Sequence, residues 1–376
     1  MKKVVIAIDS FKGCLPSAEA GKAAAEGIRS VYPECEVICL PIADGGEGML
    51  DVLIMATNGQ EVPISAHDPL MRWCNTYYGI SENGETAFIE MASISGLPLV
   101  PPERRNPMLT TTYGTGEIIR DALERGCRNF IIGIGGSATN DAGLGMLQAL
   151  GFRFSDKEGK KVGTGCGEVL IKVAHIDSTF VHPALNSCRF TVACDVQNPF
   201  YGPEGAAYVF APQKGADREM VEALDAGLQN FAEVIRHTTG KAISHHPGAG
   251  AAGGMGGSLL AFLNAELKPG IQLMLEALDF SNKIKSADLI ITGEGKADRQ
   301  TLMGKVPSGI LAEARKQNIP VILLAGNIED SDELQQAGFE GVFSVNPPFI
   351  SLEEAMRPEV ARKNIQQKSS LFARNK

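Results

Sequence analysis

The sequence predicts an α/β fold: a parallel sheet covered by helices on both faces, with a second, mixed α/β domain inserted into it. Three observations predict it. Short apolar, β-branched runs recur along the chain, each leading into a turn and then a helical pattern. Two stretches, residues 63–100 and 151–257, break that rhythm. The length of 376 residues also exceeds one ordinary domain of about 150.

The runs read as buried strands are residues 4–8, 36–40, 130–134, 289–292, 321–325 and 341–345. Residues 16–31 form an Ala-rich helical pattern whose proline suits a first turn. Residues 117–125 form another, ended by Gly126 as a C-cap. Residues 309–317 form a third, polar on one face and leading into Pro320. In the first irregular stretch, residues 75–80 and 86–91 alternate around the turn Glu82-Asn83-Gly84, a hairpin signal. The second holds a turn at residues 156–159, strand-like segments at 190–194 and 207–210, and a long helix at 217–238. The expected division is a sheet domain of residues 1–62, 110–150 and 262–376, with 63–109 and 151–261 inserted. Ligands of such sheets bind beyond the carboxyl ends of the strands, and clefts between domains commonly take small ligands.

Composition narrows the function. A net charge of −9 and a pI near 5.3 oppose duplex-DNA binding, which needs a basic face. A small phosphate ligand needs only a few cations and backbone N–H groups. No apolar run is long enough to span a membrane, and Asp9 interrupts the N-terminal apolar run too early for a signal peptide. The eight cysteines are scattered without a CxxC pair, as expected of a cytoplasmic protein with reduced thiols. The six histidines lack metal-ligand spacing. The 42 glycines exceed the usual share of about 7% and gather in particular turns.

Those turns carry the chemistry. The first strand ends in Asp9-Ser10-Phe11-Lys12-Gly13, which reads as a carboxylate–hydroxyl–ammonium site or as a capped turn. The second ends in Asp44-Gly45-Gly46-Glu47-Gly48, where two carboxylates could hold Mg2+ or face a helix N-terminus. Gly133 to Gly143 runs from a strand through Gly135, Gly136, Ser137, Thr139, Asn140 and Asp141 into a helix, an anion cradle of backbone N–H groups. It lacks the Walker A ending and the dinucleotide glycine spacing. A literal GxGxxG at Gly248–Gly253 follows no strand, so it reads as a loop that could hug phosphate, through Gly250, Gly253 and Gly254. Asp195 and Asn198 follow a strand; Gln213 and Lys214 lie in a turn before a helix, where solvated turn residues are the plain alternative. Glu294, Lys296 and Asp298 follow the strand at 289–292, with Lys305 beyond. Acids, lysines and glycines at repeated strand ends fit phosphoryl transfer, which needs cations for phosphate, carboxylates for Mg2+ and a group to position the hydroxyl.

The segments DSFKG, ADGGEG, IGIGGSATNDAGLGM, CDVQNP, APQKGA, PGAGAAGGMG and ITGEGKAD, in this order, resemble the glycerate kinases of the bacterial glycerate-2-kinase type. The resemblance runs from Lys2 to about Val345 and departs at Ile8, where that family usually has proline. It implies a Rossmann-like parallel sheet domain with a second α/β domain, the site in the cleft, and ATP-dependent phosphorylation of D-glycerate to 2-phosphoglycerate with Mg2+. A kinase for another small hydroxy acid and a non-catalytic nucleotide-binding regulator are the alternatives. The expected catalytic residues are Lys12, Asp44, Asp195, Lys214 and Glu294. Lys12 and Lys214 would neutralise phosphate or carboxylate charge, and Asp44, Asp195 and Glu294 would hold Mg2+ or position the hydroxyl. Asp9, Ser10, Gly45, Gly46, Gly135, Gly136, Ser137, Thr139, Asn140, Asp141, Asn198, Gln213, Gly250, Gly253, Gly254, Lys296 and Asp298 would contact substrate or phosphate.

Overall fold

A computed structural model of the chain describes residues 1–46 and 48–374. Its strands, in chain order, are β1 (Lys3–Ile8), β2 (Glu36–Cys39), β3 (Gln60–His67), β4 (Trp73–Ile80), β5 (Thr86–Glu90), β6 (Asn129–Gly133), β7 (Arg153–Ser155), β8 (His175–Asp177), β9 (Arg189–Ala193), β10 (Glu266–Lys268), β11 (Leu289–Ala297), β12 (Val321–Ile328) and β13 (Gly341–Ser344). The chain divides into two compact units, Met1–Val52 with Ile271–Lys376, and Leu53–Gly270.

The first unit holds a wholly parallel sheet of order β13-β12-β11-β1-β2. Val4, Ile6, Ile8, Leu289, Ile291 and Leu324 form its buried centre. The helix Ser17–Arg29 covers the sheet with an alanine face, Ala20, Ala23 and Ala24 being buried. Its small side chains also let the helix Pro358–Arg374 pack closely against it. Successive strands step from β1 to β2 in one direction and from β11 to β13 in the other. The order therefore reverses between β1 and β11, and their carboxyl ends open the crevice where ligands of open α/β sheets bind.

The second unit holds a mixed sheet of order β10-β9-β6-β5-β4-β3, with β7 and β8 paired separately. The hairpin forms as expected: β4 and β5 are antiparallel, with Gly79 opposite Phe88. The helix Arg218–Thr239 also forms, capped by Asp217, whose carboxylate accepts the Met220 N–H at 2.9 Å.

Four expectations change. The strand expected at 130–134 belongs to the second sheet, where it pairs with β5 and β9 and stacks Phe130 on Phe190 at 4.6 Å between ring centroids. Residues 110–150, expected in the sheet domain, accordingly fall in the second unit, which is one continuous insertion. Residues 207–210 lie in the helix Ala206–Phe210 rather than a strand. Finally, β3 was not foreseen; it contains Pro63, and it lies at the sheet edge, where a missing N–H is tolerated. Among the described residues no helix is long and apolar enough to cross a membrane, and all eight cysteines are unpaired.

Candidate active site

At the carboxyl ends of β1, β11, β12 and β13 the first unit contains a cavity of about 930 Å3. Asp9, Lys12, Asp44, Glu294 and Lys305 line one part of it. Asp9 follows the last residue of β1, and its N–H donates to the Gly293 carbonyl at 2.9 Å, which fixes the first turn against β11. Its carboxylate accepts the Ser10 N–H at 2.7 Å. Only 6% of Asp9 is exposed. Burial, then the charges of Asp44 and Glu294, push its pKa up to about 7, against the pull of the Ser10 N–H and Lys12. The Asp44 carboxylate accepts the Gly46 N–H at 3.1 Å and lies 3.8 Å from Lys12 Nζ. Gly45 has a φ of 89°, a left-handed conformation natural to glycine.

β11 runs on past residue 292 through Ala297, so Glu294 is a strand residue, not a loop residue. Its Oε1 accepts the Thr301 hydroxyl at 2.6 Å, and its Oε2 lies 3.8 Å from Lys305 Nζ. Burial raises the pKa of Glu294, opposed by the Thr301 hydrogen bond and Lys305. Lys296 also faces the cavity but is paired with Glu329 at 2.9 Å. Asp298 caps the turn Arg299–Leu302, accepting the Gln300 N–H at 2.8 Å. Glu47 lies outside the described residues.

The glycine-rich segment of the second unit separates into two parts. Gly135 and Gly136 are exposed, and no atom lies within 4 Å of where a Cβ would stand at Gly135. That half is open to a ligand. From Ser137 onward the segment is interior. Thr139, Asn140 and Asp141 are fully buried. Asp141 accepts the Thr112 N–H and hydroxyl at 2.9 and 2.7 Å and the Gly145 N–H at 3.2 Å. It pins the fold and does not meet a surface ligand.

Gly250, Gly253 and Gly254 are buried as well. A Cβ at Gly250 would stand 2.2 Å from the Pro199 carbonyl oxygen, and one at Gly253 would stand 2.2 Å from that of Thr139. The Gly253 carbonyl accepts the Ala142 N–H at 3.0 Å. These glycines let two protein segments approach backbone to backbone, so the expectation of phosphate against them is corrected.

Lys214 is likewise no solvated turn residue. Only 2% of it is exposed. Its Nζ donates to Ser137 Oγ at 2.8 Å and to the Thr139 carbonyl at 2.7 Å. Burial lowers its pKa to about 7, against the favourable charge of Asp141. It therefore braces the Ser137–Thr139 segment from within the fold. Asn198 donates to the Glu204 carbonyl at 2.8 Å, and Gln213 is exposed beside the buried lysine. Asp195 follows β9; its Oδ1 accepts the Gly270 N–H at 2.8 Å, at the start of the helix Gly270–Ala277.

The structure thus gathers Asp9, Ser10, Lys12, Asp44, Glu294 and Lys296 around one cavity in the first unit, and Ser137, Thr139 and Lys214 into one cluster in the second. Among the described residues no group of three or more His, Cys, Asp or Glu side chains is placed to hold a metal by itself. His67 is tied to Glu117, 3.0 Å from Nδ1 to Oε1. Two features were not foreseen in the sequence. Thr301 positions Glu294, and Val345, Pro347, Pro348, Ile350, Leu352 and Met356 form a cavity wall. The only sequence signal for that wall was the Pro347-Pro348 pair after a strand.

The glycerate kinase family model matches residues 4–375. The Glycerate 2-kinase of Escherichia coli (strain K12) is 47% identical over 356 residues, covering 94% of this chain and 93% of that one. The Glycerate kinase of Bacillus subtilis (strain 168) is 47% identical over 354 residues, covering 94% and 92%. A crystal structure described as a glycerate kinase 2 from Salmonella typhimurium LT2 superposes with a TM-score of 0.91 at 44% identity, covering 100% of this chain and 98% of that one. Sequence, fold and a charged cavity at the sheet's reversal point agree, and the chain belongs to the glycerate kinase family.

Proposed function

We propose that the protein catalyses ATP-dependent phosphorylation of D-glycerate in the cytoplasm, giving 2-phosphoglycerate and ADP, with Mg2+. The observation that carries this is the cavity in which Asp9, Lys12, Asp44, Glu294 and Lys305 meet at the carboxyl ends of β1 and β11. Two ammonium groups match phosphate charge, and carboxylates beside them match a hard cation and a hydroxyl to be positioned. The name of the E. coli relative supports the same substrate and position.

The residues fit Mg2+ in its usual protein setting. That ion keeps several waters and binds through one or two carboxylates plus substrate phosphates, rather than in an all-protein cage. Asp44 and Glu294, which line the same cavity, would hold it; when bound, it neutralises charge on the phosphates. Lys12 and Lys305 would take the remaining phosphate charge. Asp9, with a pKa of about 7, is suited to accept the proton of the attacking hydroxyl, since a base works best near the operating pH. In the second unit the exposed Gly135 and Gly136 N–H groups would receive an anion, with Ser137 held in place by Lys214.

A coupled ADP-release assay with D-glycerate, related hydroxy acids and no acceptor tests this reading. Glycerate-dependent ADP release is expected, and phosphorus NMR should show the 2-phosphate. Release with another acid only, or nucleotide binding without release, would replace the reading by one of its alternatives.

Asp195 has its own test. Asp195→Asn keeps an oxygen for the Gly270 N–H but removes the charge. The thermal midpoint should stay within about 2 °C, since only a small change in stability is involved, while kcat falls about a hundred-fold or more, the scale of a lost positioning charge. Unchanged turnover in the coupled assay would confine Asp195 to capping that helix.

A further inference from the structure

The charged groups occupy only part of the cavity. The rest is walled by Phe11, Val345, Pro347, Pro348, Leu352 and Met356, all from the first β-turn or the segment after β13. Single exposed apolar side chains need no explanation. Here they share one cavity with a cluster of charges. Leu352 is 78% exposed and Met356 40%, so neither is held there by core packing. Strands in a sheet are spaced by about 4.8 Å. The three steps from β1 to β13 therefore place Val345, Pro347 and Pro348 about 14 Å from the Asp9 end, a separation comparable to that between the terminal phosphate and the base of a nucleoside triphosphate, while Phe11 and Met356, the latter beside Gly13, line the cavity nearer β1.

We infer that the part of this wall that follows β13, at Val345, Pro347 and Pro348, is the seat of the nucleobase, and that the nucleotide lies along the carboxyl edge of the sheet, base at β13 and phosphates at β1 and β11. The inference rests on the kinase reading and adds to it where and how the nucleotide is held. The chemistry suits a flat heteroaromatic ring. Proline faces and a methionine thioether pack well against aromatic surfaces. The polar side chains nearby are already engaged: Asn346 donates to the Gly326 carbonyl at 2.8 Å and accepts from Asn364 at 3.1 Å. The wall thus offers shape and apolar contact, while the charged end supplies orientation, as in pockets that are mostly apolar with a few convergent polar groups.

The test uses the full chain. Photolabelling with 8-azido-ATP, followed by tryptic mapping, should place the label in residues 317–362, which contain the wall and carry no internal cleavage site other than the resistant Arg357–Pro358 bond. Competition by ATP should remove it. Leu352→Asp should raise KM for ATP by about ten-fold or more, roughly the worth of one apolar contact on a bound base, with KM for glycerate unchanged. Phe349→Ala, next to the wall but not lining the cavity, should leave KM for ATP within about two-fold, in the range of ordinary surface changes. Label within residues 129–215, or a normal KM for ATP in an active Leu352→Asp enzyme, would overturn the assignment. The labelling reads binding rather than turnover. If the wild-type protein is labelled at the wall but phosphorylates no hydroxy acid, the kinase reading fails and the base seat stands.

Discussion

Asp9→Asn is expected to abolish glycerate phosphorylation and, at the same time, to make the protein more stable at pH 8. Both effects come from one buried carboxylate. Its pKa rises from 3.8 to about 7, mainly by burial and by Asp44. Between those values the folded chain holds a proton that the unfolded chain has released. Stability therefore falls as pH rises through this window, and the full penalty is present above pH 7. A ten-fold change in an acid constant corresponds to about 1.4 kcal/mol, so the charged side chain burdens the fold by a few kcal/mol at most. Asparagine stays neutral throughout and keeps an oxygen for the Ser10 N–H. Thermal melts without nucleotide or metal should show the variant well above the wild type at pH 8 and level with it near pH 3.5. In the coupled assay its kcat should fall about a thousand-fold or more, the upper part of the range for a general base. A variant no more stable than wild type at pH 8 would mean that the carboxylate is not penalised by its surroundings. Normal turnover would remove it from the reaction.

Such a residue is recognisable in a sequence only by its place. Asp9, Asp44 and Glu294 stand at or near the ends of apolar runs, and the α/β pattern alone sends strand ends of one sheet to one edge. That much of the site was legible. Which runs share a sheet was not. The strand at Asn129–Gly133 carries an unbroken apolar run, as β1 and β12 do, and a buried strand's pattern carries no mark of its partner. The glycine-rich turn that follows it therefore carries no mark of its unit either.

Glycine itself was ambiguous in the same way. It marks a place where backbone comes close to something. At Gly135 the neighbouring space is open, whereas at Gly250 and Gly253 it is filled by the carbonyls of Pro199 and Thr139. Both uses look alike in one dimension. The wall after β13 left almost no trace, because proline and scattered apolar residues also describe an ordinary loop.

Lys214 is the case in which a lysine with the pattern of a solvated turn residue is interior, and its replacement by methionine should have the second large effect. Burial takes its pKa from 10.5 to about 7. Between those values the unfolded chain holds a proton that the folded chain lacks, so wild-type stability climbs with pH across the window, by up to about 1.4 kcal/mol per pH unit. Below pH 7 the buried ammonium weighs fully on the fold. Lys214→Met removes the titrating group and therefore most of that slope. It also strips donors from Ser137 and the Thr139 carbonyl, and leaving a buried acceptor unpaired costs about 1–3 kcal/mol. The two changes oppose each other near pH 7, so the slope from denaturant melts at pH 7 to 9 is the sharper readout. Activity responds through the loop. Without its brace Ser137 no longer holds the open Gly135–Gly136 turn in one geometry, and misplacement of about 1 Å in a positioning group can reduce rate a hundred-fold. The loss should appear in kcat and in KM for one anionic substrate only. If the slope flattens as expected while kinetics for glycerate and ATP stay at wild-type values, Lys214 is a structural brace alone, and the turn it supports is not where the anion binds.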